Sequence, residues 1–185
     1  MNYLITTLSA TFPLSNSLEE ELSKNTKILS LKKKKYLIEK GQTANHLYFV
    51  NEGLLRGFYF QKRKNITTWF AKEQEFVTSI YSFVSRKPLI ETIEALEDCQ
   101  LTSISYEDLQ RLYSKHMELN RIGRILMEKY FIELEERAIS LQHQTAKERY
   151  THFLNRYSDL FHRVKLGHIA SFLGITNETL SRIRS

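Results

Sequence analysis

Residues 165–185 read KLGHIASFLGITNETLSRIRS, and the rest of the chain is most simply understood as the means of placing this stretch. Ile169, Phe172 and Leu173 fall at helical spacing on a first short helix that begins near His168. Gly174 follows as a residue able to take a positive φ and so end a helix without steric cost. Beyond that corner, Thr176 is placed to cap a second helix, and Glu178 sits in its first turn, where a carboxylate suits the positive end of the helix dipole. Leu180 and Ile183 face inward with Ile175, while Asn177 with Ser181 and Glu178 with Arg182 form i, i+4 pairs on the opposite side. Two readings are open. Asn, Glu, Ser and Arg are side chains that hydrogen-bond base edges in a major groove, and the same pattern also fits an ordinary helical hairpin with a solvated face.

The string I-A-x-x-L-G-I-T-x-E-T-L-S-R-I, running from Ile169 to Ile183, resembles the helix-turn-helix of the Crp/Fnr family of bacterial transcriptional regulators. The resemblance implies that Asn177, Glu178 and Arg182 read bases and that Thr179 touches a phosphate, with Ser181 on the same face. It also implies double-stranded DNA as partner. Many members continue into a small β-hairpin wing; the sequence ends at Ser185, so no wing contribution is expected.

Composition bounds the remainder. A chain of 185 residues accommodates a medium and a small domain, and 42% hydrophobic with 26% charged residues is ordinary for a globular protein. No stretch approaches the roughly 20 apolar residues of a membrane span, and the first residues lack signal-peptide features, so a cytoplasmic protein is expected. The single cysteine, Cys99, excludes an intramolecular disulfide and an iron–sulfur cluster held by several thiolates. The six histidines show no ligand spacing, and no metal is assigned. The formal charge of +6 is uneven: residues 1–107 carry 14 basic against 12 acidic side chains, residues 108–140 six of each, and residues 141–185 seven against three. A basic end attracts phosphates and makes such binding fall with salt. Lys32 to Lys35 reads as a solvated strand edge without a function.

Toward the N-terminus, Ser17-Leu18-Glu19-Glu20 has the form of a capping box, with Leu18 and Leu22 giving its helix one apolar stripe. From Ile28 the period turns toward two, and short strands follow over residues 36–38, 46–50, 54–60 and 66–70, with turns at Gly41, at Asn51-Glu52-Gly53 and over residues 61–65. Residues 91–95 and 100–105 close what reads as a meander of antiparallel strands, a small barrel or sandwich. The segment GQTANHLYFVNEGLLRGFYF, residues 41–60, resembles the first half of a cyclic-nucleotide-binding β-roll, and ISYEDLQRL, residues 104–112, resembles the approach to its long helix.

In cyclic-nucleotide binders a Gly-Glu pair holds the ribose hydroxyl, and an Arg followed by a small residue holds the phosphate. A gap-free placement puts Thr78-Ser79 and Leu89-Ile90 at those positions, which makes these four the candidate effector pocket. With neither carboxylate nor guanidinium there, a cyclic nucleotide is not expected, and the effector is left unnamed. Arg86 and Lys87 are either an anion site or a solvated turn beside Pro88; Glu94, Glu97 and Asp98 read as a turn.

From about Glu107 to Gln142 the pattern is helical and apolar on two stripes: Leu119, Ile122, Leu126, Tyr130, Leu134 and Leu141, and beside them Ile125, Ile132 and Ile139. Either the helix is buried within a monomer or the second stripe meets the same helix of another subunit. The resemblance implies the latter, with Ile122, Ile125, Leu126, Ile132, Leu134 and Ile139 in a homodimer interface. Thr145-Ala146-Lys147-Glu148 repeats the capping-box form, so a new helix starts there, with Ala146, Tyr150, Phe153, Leu154 and Tyr157 on its inner stripe.

The expected protein is α+β: an antiparallel β-roll sensor (1–107), a dimerisation helix (108–144) and a helix-turn-helix domain (145–185). The expected function is transcriptional regulation through a pseudo-palindromic DNA site, with RNA polymerase as a candidate partner. No nucleophile elbow, phosphate-cradling glycine loop or Cys/His dyad suggests an enzyme. The rival reading is a ligand-binding or protein-interaction module whose C-terminal domain no longer reads DNA.

Overall fold

A computed structural model describes residues 3–62 and 64–184. These fall into two compact units: residues up to Gly57 with Phe70–Met127, and Phe58–Trp69 with the chain from Glu128 onward. No described helix is long and apolar enough to cross a membrane.

The first unit opens with α1 (Tyr3–Thr11), absent from the sequence reading, which buries Leu4 and Leu8. In α2 (Asn16–Asn25) the cap is Ser15, not Ser17: the Ser15 hydroxyl accepts the Leu18 N–H at 3.2 Å, and Ser17 falls inside the first turn. Leu18 and Leu22 form the buried stripe as expected.

Eight strands follow: β1 (Thr26–Leu31), β2 (Tyr36–Ile38), β3 (His46–Glu52), β4 (Leu55–Gln61), β5 (Lys64–Ala71), β6 (Phe76–Val77), β7 (Thr92–Ala95) and β8 (Cys99–Ser105). They form two four-stranded sheets, ordered β1-β8-β3-β6 and β2-β7-β4-β5. This is a roll, not a meander. β8 pairs antiparallel with β1 (Thr26 opposite Ile104) and with β3 (His46 opposite Ser105), and β2 pairs with β7. Alternation along a strand fixes which face is buried but says nothing about which strand lies alongside, so the sequence left the pairing open. Phe49, Val50, Leu54, Leu55, Ile93 and Leu101 are buried in the core of this unit.

Glu94, expected in a turn, lies in β7, where one carboxylate oxygen takes the Nε and Nη2 of Arg56 at 2.9 and 2.8 Å. Arg56 is 3% exposed, and this carboxylate is a charge partner that offsets the cost of its burial. Asp98 does lie beyond β7 and receives Lys32 Nζ at 2.7 Å and the Lys33 N–H at 2.8 Å.

The single long helix read from the sequence is two: α4 (Tyr106–Lys115) and α5 (Met117–His143). Between them buried His116 leaves helical geometry (φ −123°, ψ 105°), donating its N–H to Leu112 and accepting from the Leu119 N–H at 3.1 Å. Leu112, Leu119 and Ile122 are all buried, so the apolar spacing runs through the break and conceals it. Gly123 allows the helices to close up, since a Cβ there would stand 2.6 Å from Tyr113 Oη.

Candidate nucleic-acid interface and sensor site

The second unit contains α6 (Ala146–Arg156), a 3-10 turn (Ser158–His162), α7 (Leu166–Phe172) and α8 (Asn177–Arg184). Thr145 and Glu148 form the reciprocal capping box anticipated for α6, with the Thr145 N–H donating to Glu148 Oε2 at 2.7 Å and the Glu148 N–H to Thr145 Oγ1 at 3.3 Å. Phe153 is buried against Tyr157 and Phe172, ring centroids 5.4 and 5.8 Å away. Leu160, Val164, Ile169, Ala170, Leu173 and Leu180 complete a small core.

The corner is built as the sequence suggested. Gly174 has φ +67°; its N–H reaches the Ser171 carbonyl at 3.1 Å, and the Ile175 N–H reaches the Ala170 carbonyl at 3.0 Å. These two bonds make a Schellman motif, which needs a left-handed residue where Gly174 stands. Thr176 caps α8, its hydroxyl accepting the Thr179 N–H at 3.2 Å. The last carbonyls of α7 are taken by two arginines: Arg137 donates to Phe172 O at 2.9 Å, and Arg149 Nε donates to Leu173 O at 2.8 Å. Arg137 also lies over the Phe172 ring, 3.9 Å from its centroid. Cations at a helix C-terminus are favourable through its dipole. Burial nevertheless holds the Arg137 pKa below its ordinary value. Neither arginine was singled out from the sequence, because each acts through carbonyls remote in the chain.

Asn177, Glu178, Ser181 and Arg182 are exposed on one side of α8, and Thr179 is half-buried at its edge. Arg182 Nη2 donates to Thr179 Oγ1 at 3.3 Å, folding the guanidinium back along the helix. The Glu178 carboxyl is held below its ordinary range, first by the Thr176 hydroxyl and lastly by the charge of Lys64.

In the first unit, Thr78 is buried and donates to the His46 carbonyl at 3.0 Å, and buried Ser79 precedes α3 (Ile80–Ser85), a helix not foreseen. Leu89, 2% exposed, pairs its backbone with Gly41 and Gln42, whereas Ile90 is 63% exposed. Three of the four are thus buried and one is exposed. Two surface hollows, of about 700 Å³ along α6 and about 470 Å³ beside β1, are lined by none of them. Arg86 makes its bonds within the protein. In left-handed geometry (φ 59°) it donates to Ala44 O at 2.8 Å and to Asn45 Oδ1 at 2.5 Å, and it lies 4.1 Å from the Tyr106 ring centroid.

Of the residues expected at a subunit interface, Ile122 is 1% exposed and belongs to the chain's own core. Ile125 and Leu126 are half-buried; Ile132, Leu134 and Ile139 are exposed, as is Phe131 beside them.

Residues 28–116 match the family model of the cyclic nucleotide-binding domain. The architecture is thus of the class that joins such a β-roll through a long helix to a C-terminal group of short helices. Solved structures make the likeness more particular. FixK2 from Bradyrhizobium japonicum superposes with a TM-score of 0.74 at 18% identity, covering 86% of this chain and 82% of that one. CLP, the c-di-GMP responsive global regulator of Xanthomonas campestris, gives 0.72 at 19%, covering 91% and 89%. A CooA variant from Carboxydothermus hydrogenoformans gives 0.74 at 16%, covering 100% and 84%. The resemblance to the Crp/Fnr family read from the sequence is borne out in the fold. No curated protein matches the chain.

Proposed function

We propose that this protein is a cytoplasmic DNA-binding transcriptional regulator that reads a pseudo-palindromic site as a homodimer. The observation that carries the reading is α8 itself: Leu180 anchors it from below, the Gly174 corner fixes its start, and Asn177, Glu178, Ser181 and Arg182 stand together in solvent. Side chains of these types match base-edge donors and acceptors, Arg to guanine and Glu to cytosine. The exposed apolar residues of α5, Phe131, Ile132, Leu134 and Ile139, support pairing with the same helix of a second copy. Pairing of that kind presents two reading helices to half-sites about 10 base pairs apart.

The β-roll is proposed to work without cyclic AMP or cyclic GMP. A cyclic phosphate leaving water needs a charge-assisted partner. Leu89 is committed to the core, and Arg86 is already bonded to Ala44 and Asn45. Domain limits near residues 107 and 144 are part of the same proposal.

Enrichment of sites from a random duplex library, followed by mobility shift at several salt concentrations, tests the reading. The expected result is a two-fold symmetric site whose binding weakens with salt, made by a protein that light scattering shows to be a dimer. Failure to enrich any sequence favours the rival module that no longer reads DNA. Calorimetric titration with either cyclic nucleotide should give no binding at micromolar concentration; tight binding refutes that part alone.

A further inference from the structure

The hairpin joining β4 to β5 ends against the reading motif. Ser171, on the first helix of that motif, uses its hydroxyl twice: it accepts the Thr67 N–H at 2.9 Å and donates to the Asn65 carbonyl at 3.0 Å. Thr67 is fully buried, whereas Lys64 and Asn65, farther out on the same strand, are exposed. Lys62, in the turn with φ 44°, is exposed too. Asn65, whose carbonyl Ser171 binds, directly follows Lys64, so the geometry ties the base of this lysine to α7. Residues 61–65 read QKRKN, three basic residues and no acidic one. Asn177, Glu178, Ser181 and Arg182 are exposed, so the described residues of the hairpin do not cover this face.

We propose that the tip of the β4–β5 hairpin is a second DNA-contacting element, in which Lys62 and Lys64 meet backbone phosphates flanking the bases read by α8. Ser171 is the positioning residue that holds the tip there. The inference rests on the DNA-reading function above and adds a surface to it. Lysine suits the task as a compact charge on a flexible stem, able to follow a phosphate without reading sequence. An acidic protein surface fits the same tip electrostatically. The phosphate backbone is favoured because the tip shares one compact unit with α8 and is tied directly to α7, so it accompanies the reading helix.

The test is fluorescence anisotropy over a salt series on two duplexes of equal length, an enriched site and a random sequence. The proteins compared are wild type, the double variant Lys62→Gln with Lys64→Gln, Ser171→Ala, and Ser171→Thr, which keeps the hydroxyl. Each phosphate contact contributes about 0.9 to the slope of log affinity against log salt. In a dimer the double variant removes four such contacts, so it is expected to lower the slope by about 3.6 on both duplexes while leaving their affinity ratio unchanged. Ser171→Ala should lower it in the same direction, and Ser171→Thr should restore it. An unchanged slope in the double variant, with wild type binding both duplexes, overturns the inference and leaves the reading by α8 standing. A changed affinity ratio also overturns it, since base readout would then be involved. If wild type binds neither duplex, the DNA-reading function itself fails, and this inference with it.

Discussion

Replacing Gly174 by alanine tests the corner on which the reading helix depends. At φ +67° an L-residue places its Cβ too close to the neighbouring carbonyl, which costs about 1–2 kcal/mol. The added Cβ would also stand 3.3 Å from Leu141 Cδ2. That methyl is the end of a flexible side chain on an exposed stretch of α5, so it can turn aside at little cost. Against this, alanine narrows the unfolded ensemble and returns about 0.4–1 kcal/mol. The balance is a net loss of about 1 kcal/mol, or roughly 4–8 °C in the melting midpoint of a unit of this size. Gly174→Asn should lose less, because asparagine visits left-handed geometry with help from its own side chain. The assay is built in: the only tryptophan, Trp69, belongs to the C-terminal unit, so its fluorescence reports that unit's unfolding. A midpoint for the alanine variant equal to wild type, or equal losses for alanine and asparagine, would refute the claim that the glycine is there for its φ.

Arg182→Ala should cost about 1–3 kcal/mol on an enriched site and relax preference at one base; an equal loss on random duplex would show a phosphate contact only. Cys99, buried and with its thiol pushed up to about 11, should resist iodoacetamide in the native protein at mildly alkaline pH and react fully once unfolded. Thiol loss on mixing with the native protein would contradict its placement. Glu21, Glu118, Glu148 and Glu178 all have folded pKa values below the ordinary 4.5, chiefly through hydrogen bonds from Lys115, Ser15, Thr145 and Thr176 respectively. Their contribution is present above 4.5 and lost as pH falls through the lowered values, so the melting midpoint should hold from about pH 7 to 5 and then drop. Glu148→Gln should make that drop shallower, and a midpoint that rises on acidification would reverse the assignment.

What the sequence revealed depended on whether the governing forces were local. The Gly174 corner, the Thr145–Glu148 box and most strand positions follow from residues within one turn or one pleat and stand where the sequence put them; the two-residue β6 was missed, and β5 begins inside the expected turn. Ser17 failed as a cap because the helix starts two residues earlier, where Ser15 accepts the Leu18 N–H, and spacing alone cannot choose between the two serines. The break at His116 escaped because the buried stripe runs straight through it. Strand partners were illegible for a deeper reason: Leu31 opposite Cys99 and Tyr36 opposite Glu94 join parts of the chain some 60 residues apart, and no short pattern encodes that choice.

The polar groups that matter most in both units share this non-local character. Arg56 was unremarkable in the sequence, yet it is nearly completely buried and bonds Glu94 on another strand. Arg86, readable from the sequence as an anion site or a solvated turn, gives its donors to Ala44 and Asn45 and rests on Tyr106. Around that arginine, Ser82 accepts the Ala44 N–H at 2.9 Å and donates to the Lys87 carbonyl at 2.5 Å, while Leu89 bonds the Gly41–Gln42 turn. The Arg86 guanidinium is thereby satisfied within the protein. A charged ligand arriving there would have to break several of these bonds, and each bond to a charged group is worth about 1.5–3 kcal/mol. An effector that acts on this β-roll is therefore expected to leave the Arg86 bonds intact.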